Sequence, residues 1–480
     1  MSERTRQYLT YGVAAASLAL TVFFTYLNRN FTSDDALIYY RYVSNVLDGK
    51  GLVYNAGERF NGLSSPLYTY ISIVAAYCVG NVPVSQTILG GLFLFLSSLT
   101  ILFFREQDLP FPAVIIAPLF IVTNRYFYAT FGLETPLLLF LCVLALVLYQ
   151  REYSAALAVV AALLLLTRGE GVFLLIVLAL AHVLQRRTFP SPWIFVAPVT
   201  ILLIHYSFNY FYFGAVFPET FMAKVYQGQS NLWESQTWGK HLIFLGVAYQ
   251  YGVFFNHDPL LLGLPLLLIV IGLTAHRNNH VVRMIAGFLV LYSTFYLWLN
   301  IPNYHWYYGV YYLFGTVFAV LGLETLVRET GRVLRGNGRR PGIIAAVLVG
   351  LLLIGKQSRF SYTSLSSVGS YLSYREIGVW LKEHTHTDAK IACVEIGHIG
   401  WYSQRYVIDI LGLVNPYNAK FIGDQKLSEW LHYYHPDYIL IHDPIWPHEV
   451  SARDLLEKHV FAPVDDFNFP GFKLLKRVET

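Results

Sequence analysis

Apolar blocks of roughly fifteen to twenty residues recur along this chain, from Leu9 to Leu27, Ser85 to Phe104, Trp193 to Tyr212 and Leu260 to Thr274. A helix rises about 1.5 Å per residue, so most of these blocks are long enough to cross a hydrocarbon core of roughly 30 Å. Ten-residue stretches of alternating polarity are absent, which argues against a membrane β-barrel. Only 13% of the 480 residues are charged, about half the share in a soluble globular protein, and this excludes an ordinary cytosolic enzyme. The chain reads as a polytopic α-helical membrane protein. Its net charge of +4 is too small for a nucleic-acid partner, and none is expected. Cys78, Cys142 and Cys393 form neither a disulfide framework nor a CxxC pair. Arg4 and Arg6 precede a first block too long for a signal-peptide core, with no small-residue cleavage site after it; a retained first span with a cytoplasmic N-terminus is expected.

Basic residues in short loops set orientation. The self-consistent solution has eleven spans near 8–27, 84–104, 110–124, 134–150, 154–167, 171–185, 192–212, 259–275, 281–299, 306–326 and 342–356. It places Arg105, Arg151, Arg186, Arg187, Arg277, Arg283, Arg328, Arg332, Arg335, Arg339 and Arg340 inside, with only Arg125 and Arg168 in short outer loops. Two tyrosine-rich stretches, 66–80 and 241–256, then lie half-embedded on the outer side. The expected organisation is a membrane domain, 1–356, with long outer loops at 28–83 and 213–258, followed by an outer soluble α/β domain, 357–480. Within that domain a helix is expected at Tyr374–His384 and strands at Lys390–Glu395, Tyr406–Ile410, Asp437–Ile441 and Phe472–Arg477.

The first outer loop carries the densest chemistry. Thr32 or Ser33 can cap a short helix whose first turn holds Asp34 and Asp35, and Gly49 or Gly51 can end it. Asp34, Arg41, Asn45 and Asp48 share one helical face, so the helix is expected along the membrane surface with that polar face turned inward or up. The acidic pair favours a helix N-terminus by its charge alone. It also suits a general base, because adjacent carboxylates repel and partial burial raises a carboxyl pKa. Glu58 and Arg59 read either as a solvated pair or as part of the site, with Arg41 or Arg59 able to hold a phosphate or position the aspartates.

The order Asp34-Asp35-Ala36, Arg41, Asn45, Gly49, Gly51-Leu52-Val53, Asn55, Gly57-Glu58-Arg59, Gly62 and Ser65-Pro66-Leu67 resembles the first outer loop of GT-C-fold glycosyltransferases. It is most similar to bacterial polyprenyl-phosphate arabinofuranosyltransferases of cell-wall arabinan, and more distantly to aminoarabinose and protein O-mannosyl transferases. Agreement continues through Gly132–Leu137, Leu166–Gly171 and Tyr212–Lys224. Two departures are Gly169, where relatives usually carry Pro, and the segment 300–307, which lacks their Gly-Gly-Asp. The resemblance implies transfer of a sugar, arabinofuranose in the nearest relatives, from a polyprenyl-phosphate donor to a hydroxyl of a glycan, lipid or protein acceptor, with inversion. The setting it implies is the outer face of the cytoplasmic membrane.

Asp34 or Asp35 would then be the base, with Asp34 preferred for its place on the shared polar face. Arg59, Arg168 and Lys224 would neutralise the leaving phosphate, and Tyr304-His305-Trp306-Tyr307 would stack on sugar or serve the aromatic belt. Arg168 with Glu170 also reads as a structural ion pair, Lys224 as a snorkelling interfacial lysine, and Glu134 as a cap on its span. No His joins the aspartates at ligand spacing, so no cofactor is expected, with a divalent metal left open. A lipid-linked sugar flippase and a non-catalytic envelope assembly protein are the competing readings. The gathering of charge at outer span ends, away from midplane, favours chemistry at the surface.

Overall fold

The computed structural model describes residues 2–186, 191–230, 232, 258–301, 303–333, 339–366, 372–415, 417–424, 426 and 428–478. The membrane part runs α1 (Glu3–Leu27), α2 (Asp34–Leu47), α3 (Pro66–Val79), α4 (Val82–Ile101), α5 (Phe111–Val122), α6 (Arg125–Tyr128), α7 (Thr135–Gln150), α8 (Ser154–Thr167), α9 (Gly171–Arg186), α10 (Val196–Phe213), α11 (Thr220–Gln229), α12 (Pro259–Ala275), α13 (His280–Leu299), α14 (Gly309–Val333) and α15 (Arg339–Ser366). The soluble part runs α16 (Leu372–His384), β1 (Lys390–Cys393), α17 (Ile396–Ser403), β2 (Tyr406–Asp409), α18 (Asn418–Gly423), α19 (Glu429–Tyr434), β3 (Tyr438–His442), α20 (Ser451–Glu457), β4 (Phe461–Pro463) and β5 (Phe472–Arg477).

Each of the eleven expected spans falls on a helix. Five of the described helices are long and apolar enough to cross a membrane, at Glu3–Asn30, Val82–Ile101, Pro192–Phe213, His280–Leu299 and His305–Thr330, and several shorter apolar helices pack among them. Outward-facing Leu203, Phe211, Trp298 and Leu351 are exposed, as a lipid-facing surface requires. With 14 residues, α3 measures only about 21 Å, less than a hydrocarbon core. The stretch 241–256 lies outside the described residues. The last membrane helix does not end at 356. It continues to Ser366 because Lys356 pairs with Asp258 at 2.8 Å, and Gln357 and Ser361 bond back to Phe120 and Thr123, so hydropathy falls before the helix stops.

Two packing devices stand out. A Cβ built on Gly272 of α12 would sit 2.0 Å from the Phe318 carbonyl oxygen, and one on Gly322 of α14 2.0 Å from that of Leu268. Small residues let these backbones touch, where lipid offers no hydrophobic drive to association. The interior also holds many of the tyrosines. Tyr126 stacks on Tyr312 at 4.0 Å, and the hydroxyls of Tyr126, Tyr128 and Tyr292 donate to the carbonyls of His305, Val122 and Tyr307 at 2.6, 2.6 and 2.9 Å. These three buried rings thus satisfy their polar atoms.

The soluble domain is a five-stranded sheet of order β2-β1-β3-β5-β4, with β1 parallel to β2 and β3 and with β5 antiparallel to β3 and β4. It sits on the first outer loop. Asn55 pairs with the edge strand β2 as a neighbouring backbone would, donating to the Val407 carbonyl at 2.9 Å and accepting from the Val407 amide at 3.1 Å. Glu58 accepts from the Tyr406 hydroxyl at 3.0 Å and from Asn415 at 3.2 Å. Arg41 donates to the carbonyls of Tyr54, Gly400 and Arg405 at 2.8, 2.6 and 2.6 Å. The polar face of α2 is thus turned inward, and its Arg41 reaches the soluble domain. Arg41 and Asn45 are buried, Arg41 against the soluble domain and Asn45 against the Val53 and Tyr54 carbonyls of its own loop.

Candidate active site

A cavity of about 650 Å³ opens where the two outer loops, three span ends and the soluble domain converge. Its polar lining includes Asp35 of α2, Glu134 before α7, Arg168 and Glu170 between α8 and α9, and Glu219 and Lys224 of the second outer segment. Ile38, Leu63, Phe217, Phe221 and Leu299 make the rest largely apolar, and Leu413 and Val414 of the soluble domain close it. Phe217, Phe221 and Met222 are at the same time exposed on the outer surface.

The cation and the base candidate face the same space. Burial pushes the Asp35 carboxyl up to about 7; the charge of Lys224 opposes this, while Asp34, Glu134 and Asp409 add to it. Burial likewise brings the Lys224 ammonium down to about 8, held up in part by Asp35 and Asp409. The ammonium lies 4.0 Å over the Tyr304 ring, a cation–π contact that keeps it in place without neutralising it. Lys224 is therefore a cavity residue. No carboxylate of the described residues comes within ion-pair distance of it.

Arg168 is placed differently. Its guanidinium donates to Glu134 at 2.5 Å, to Glu170 at 2.7 Å and to the Tyr296 hydroxyl at 3.2 Å, and lies 5.0 Å over the Tyr307 ring. Tyr39 donates to the other Glu134 oxygen at 3.1 Å, and Tyr296 donates to Glu170. Glu134 consequently caps no helix with its side chain. Two carboxylates compensate the one guanidinium, so the cluster is an anchored wall with no cation to spare.

The remaining candidates lie elsewhere. The Asp34 carboxylate turns away from the cavity to the soluble domain, accepting from the Gly397 and His398 amides at 2.9 and 2.7 Å and from His398 Nδ1 at 2.8 Å. Arg41 and Glu58 are spent in docking that domain. Arg59 lies 4.7 Å over the Tyr212 ring. His305 accepts through its carbonyl from Tyr126 and is absent from the cavity lining, whereas Trp306 and Tyr307 line it and Trp306 stacks on Tyr304 at 4.6 Å. Among the described residues, no group of three or more His, Cys, Asp or Glu is placed to hold a metal.

Sequence reasoning missed Glu219 as a site residue, and it read Asp409 and Glu395, polar residues at strand ends, either as turn chemistry or as facing a cleft. Glu219 lies within the stretch Tyr212–Lys224, and burial raises its carboxyl. Asp409 accepts from the amides of Leu411, Leu413 and Val414, which fixes the loop that closes the cavity; burial lifts its carboxyl to about 6 despite those donors. Glu395, at the start of α17, is pushed well up by burial and by the charges of Asp34 and Asp35.

The family described as Domain of unknown function (DUF8728) matches residues 366–474, which cover the soluble domain. No curated protein matches the chain by sequence. Among solved structures, the chain is similar to the archaeal oligosaccharyltransferase AglB from Archaeoglobus fulgidus, in complex with an inhibitory peptide and a dolichol-phosphate (TM-score 0.62, 11% identity, 95% of this chain and 73% of that one). It is also similar to ArnT from Cupriavidus metallidurans bound to undecaprenyl phosphate (TM-score 0.57, 11% identity, 100% and 99% of the two chains). A third is the arabinofuranosyltransferase AftD from Mycobacteria (TM-score 0.50, 14% identity, 100% of this chain and 40% of that one). The chain has the GT-C fold of membrane glycosyltransferases, a polytopic helical body carrying a small C-terminal sheet domain.

Proposed function

We propose that this protein is a membrane glycosyltransferase that moves a sugar from a polyprenyl-phosphate donor to an acceptor hydroxyl. The observation that carries this reading is that Asp35 and Lys224 face one largely apolar cavity. Asp35 takes the acceptor proton as its oxygen forms a bond to the anomeric carbon. The bond from that carbon to the phosphate oxygen breaks, and the polyprenyl phosphate leaves with the electron pair. Lys224 offsets the charge it gains, while Ile38, Leu63, Phe217, Phe221 and Leu299 give the isoprenoid an apolar wall. Attack from the side opposite the leaving phosphate inverts the anomeric centre.

The phosphate carriers named for AglB and ArnT support a lipid-linked donor, and the first-loop resemblance supports arabinofuranose as the sugar. The arginine distribution supports a cytoplasmic membrane location with the N-terminus inside and the soluble domain outside.

The test is the purified full chain in lipid vesicles with a polyprenyl-phosphate-linked arabinofuranose and an arabinan acceptor. Expected are a longer acceptor and stoichiometric free polyprenyl phosphate. Movement of labelled donor between leaflets without its consumption would instead make the protein a flippase. The pH dependence follows from the two perturbed groups. Asp35 works ionised, above about 7, and Lys224 works protonated, below about 8. The kcat/KM profile is therefore expected to be a narrow bell with limbs near those values, and a flat profile from pH 6 to 9 would exclude this pair.

A further inference from the structure

We propose that Asp34 is a positioning residue, a latch that clasps the first turn of α17 and so holds the soluble domain against α2 with Asp35 facing the cavity. The proposal rests on the reading of Asp35 as the base. Its grounds are geometric. The Asp34 carboxylate accepts two amides and one imidazole nitrogen, all from Gly397 and His398. Those amides open a helix, whose first N–H groups have no acceptor within the helix itself, and a carboxylate there also meets the positive end of the helix dipole. A carboxylate engaged in three such bonds has to give them up before it can approach an acceptor hydroxyl.

Neighbouring side chains on a helix diverge by about 100°. Fixing Asp34 on α17 therefore fixes the rotation of α2 that presents Asp35 to the other side. The contact leaves no room for slack: a Cβ on Gly397 would fall 1.8 Å from the Asp34 carbonyl oxygen, and one on Gly400 2.0 Å from the Tyr54 hydroxyl. That hydroxyl in turn donates to the Ile396 carbonyl at 2.7 Å. The adjacent aspartates thus divide the work, one reaching the soluble domain and the other the cavity, and the site is complete only when the domain is docked.

The experiment uses the full chain and the variants Asp34→Asn, Gly397→Ala, His398→Ala and Asp35→Asn. Amide hydrogen exchange at 396–400 reads the latch without any activity, and it is expected to rise at least about tenfold in Asp34→Asn. A misplaced base costs on the order of a hundredfold in kcat, and donor KM should stay within about threefold. The charges of Lys224, Asp34, Glu134 and Asp409 act on Asp35, and Glu395 feels both aspartates. Removing the Asp34 charge therefore moves the acid limb of the pH profile to lower pH, whereas Gly397→Ala lowers kcat without moving that limb. His398→Ala, which removes one donor of three, is the mild variant, with a several-fold loss and faster exchange at residue 398.

Unchanged exchange at 396–400 in Asp34→Asn, or unchanged kcat, overturns the latch. An Asp34→Asn enzyme as inactive as Asp35→Asn with exchange unaltered would make Asp34 the base. Full activity in Asp35→Asn overturns the reading of the base instead, and the exchange measurement still decides the latch by itself.

Discussion

Asp35→Asn is expected to remove sugar transfer, with kcat falling by a factor on the order of 10²–10⁴, the contribution of a positioned general base. The amide keeps the shape of the side chain and its place in the cavity lining but cannot take a proton. The fold should not suffer. Asp35 is held at about 7 in the folded chain against an ordinary value of 3.8, so its ionised form opposes folding increasingly as pH rises through that interval. Replacing it with a neutral group lifts this cost, and the thermal midpoint of Asp35→Asn should match the parent near pH 4 and equal or exceed it at pH 8. An inactive variant that is also unstable at pH 8 would show that the carboxylate holds structure and would sink its assignment as the base.

Lys224→Gln is expected to be the second most damaging change, with kcat/KM for the donor lower by about 10²–10³, in line with loss of a preorganised group at a developing anion. Arg168 cannot substitute, because Glu134 and Glu170 already hold it. The same substitution removes the positive charge that lowers the Asp35 pKa. The acid limb should accordingly move to higher pH while the alkaline limb disappears. Inhibition by free polyprenyl phosphate, which needs the same cation, should weaken in parallel. Undiminished product inhibition in Lys224→Gln would place the phosphate elsewhere in the cavity.

Much of the membrane body can be read in the sequence because burial in lipid acts over whole helices, and every expected span meets one. The first outer loop, which the sequence singles out, lines the cavity through Asp35, Ile38, Tyr39 and Leu63. Its internal division of labour could not be read in the sequence. Arg41 bonds to Gly400, 359 residues away, and Asp34 to Gly397, 363 residues away. Neither helical periodicity nor local charge carries information at such separations. A polar helix face covered by another domain has the same pattern as one covered by water, so the sequence leaves open what covers the inward face of α2. Lys224 could be read either as a cation for the phosphate or as a snorkelling lysine, because the Tyr304 ring that it meets is distant in sequence. Strand β4 has three residues, too few for alternation to register. The soluble-domain wall of the cavity, Leu413 and Val414, follows from the carboxylate of Asp409 gathering three amides, a knot visible only once the chain is folded.

The clasp of Asn55 on β2 has a consequence for how the protein divides. In a free-standing sheet, the outer side of β2 would present a row of unsatisfied amides and carbonyls, which invites a second sheet to add on. Here a membrane-loop side chain occupies the Val407 amide and carbonyl on that border, and the Glu58 carboxylate sits beside it. The soluble part is thus shielded from its own kind by the part it serves. Severed near residue 366, it would carry a sticky border into solution and associate with copies of itself, while the membrane body left behind would lose one wall of its cavity.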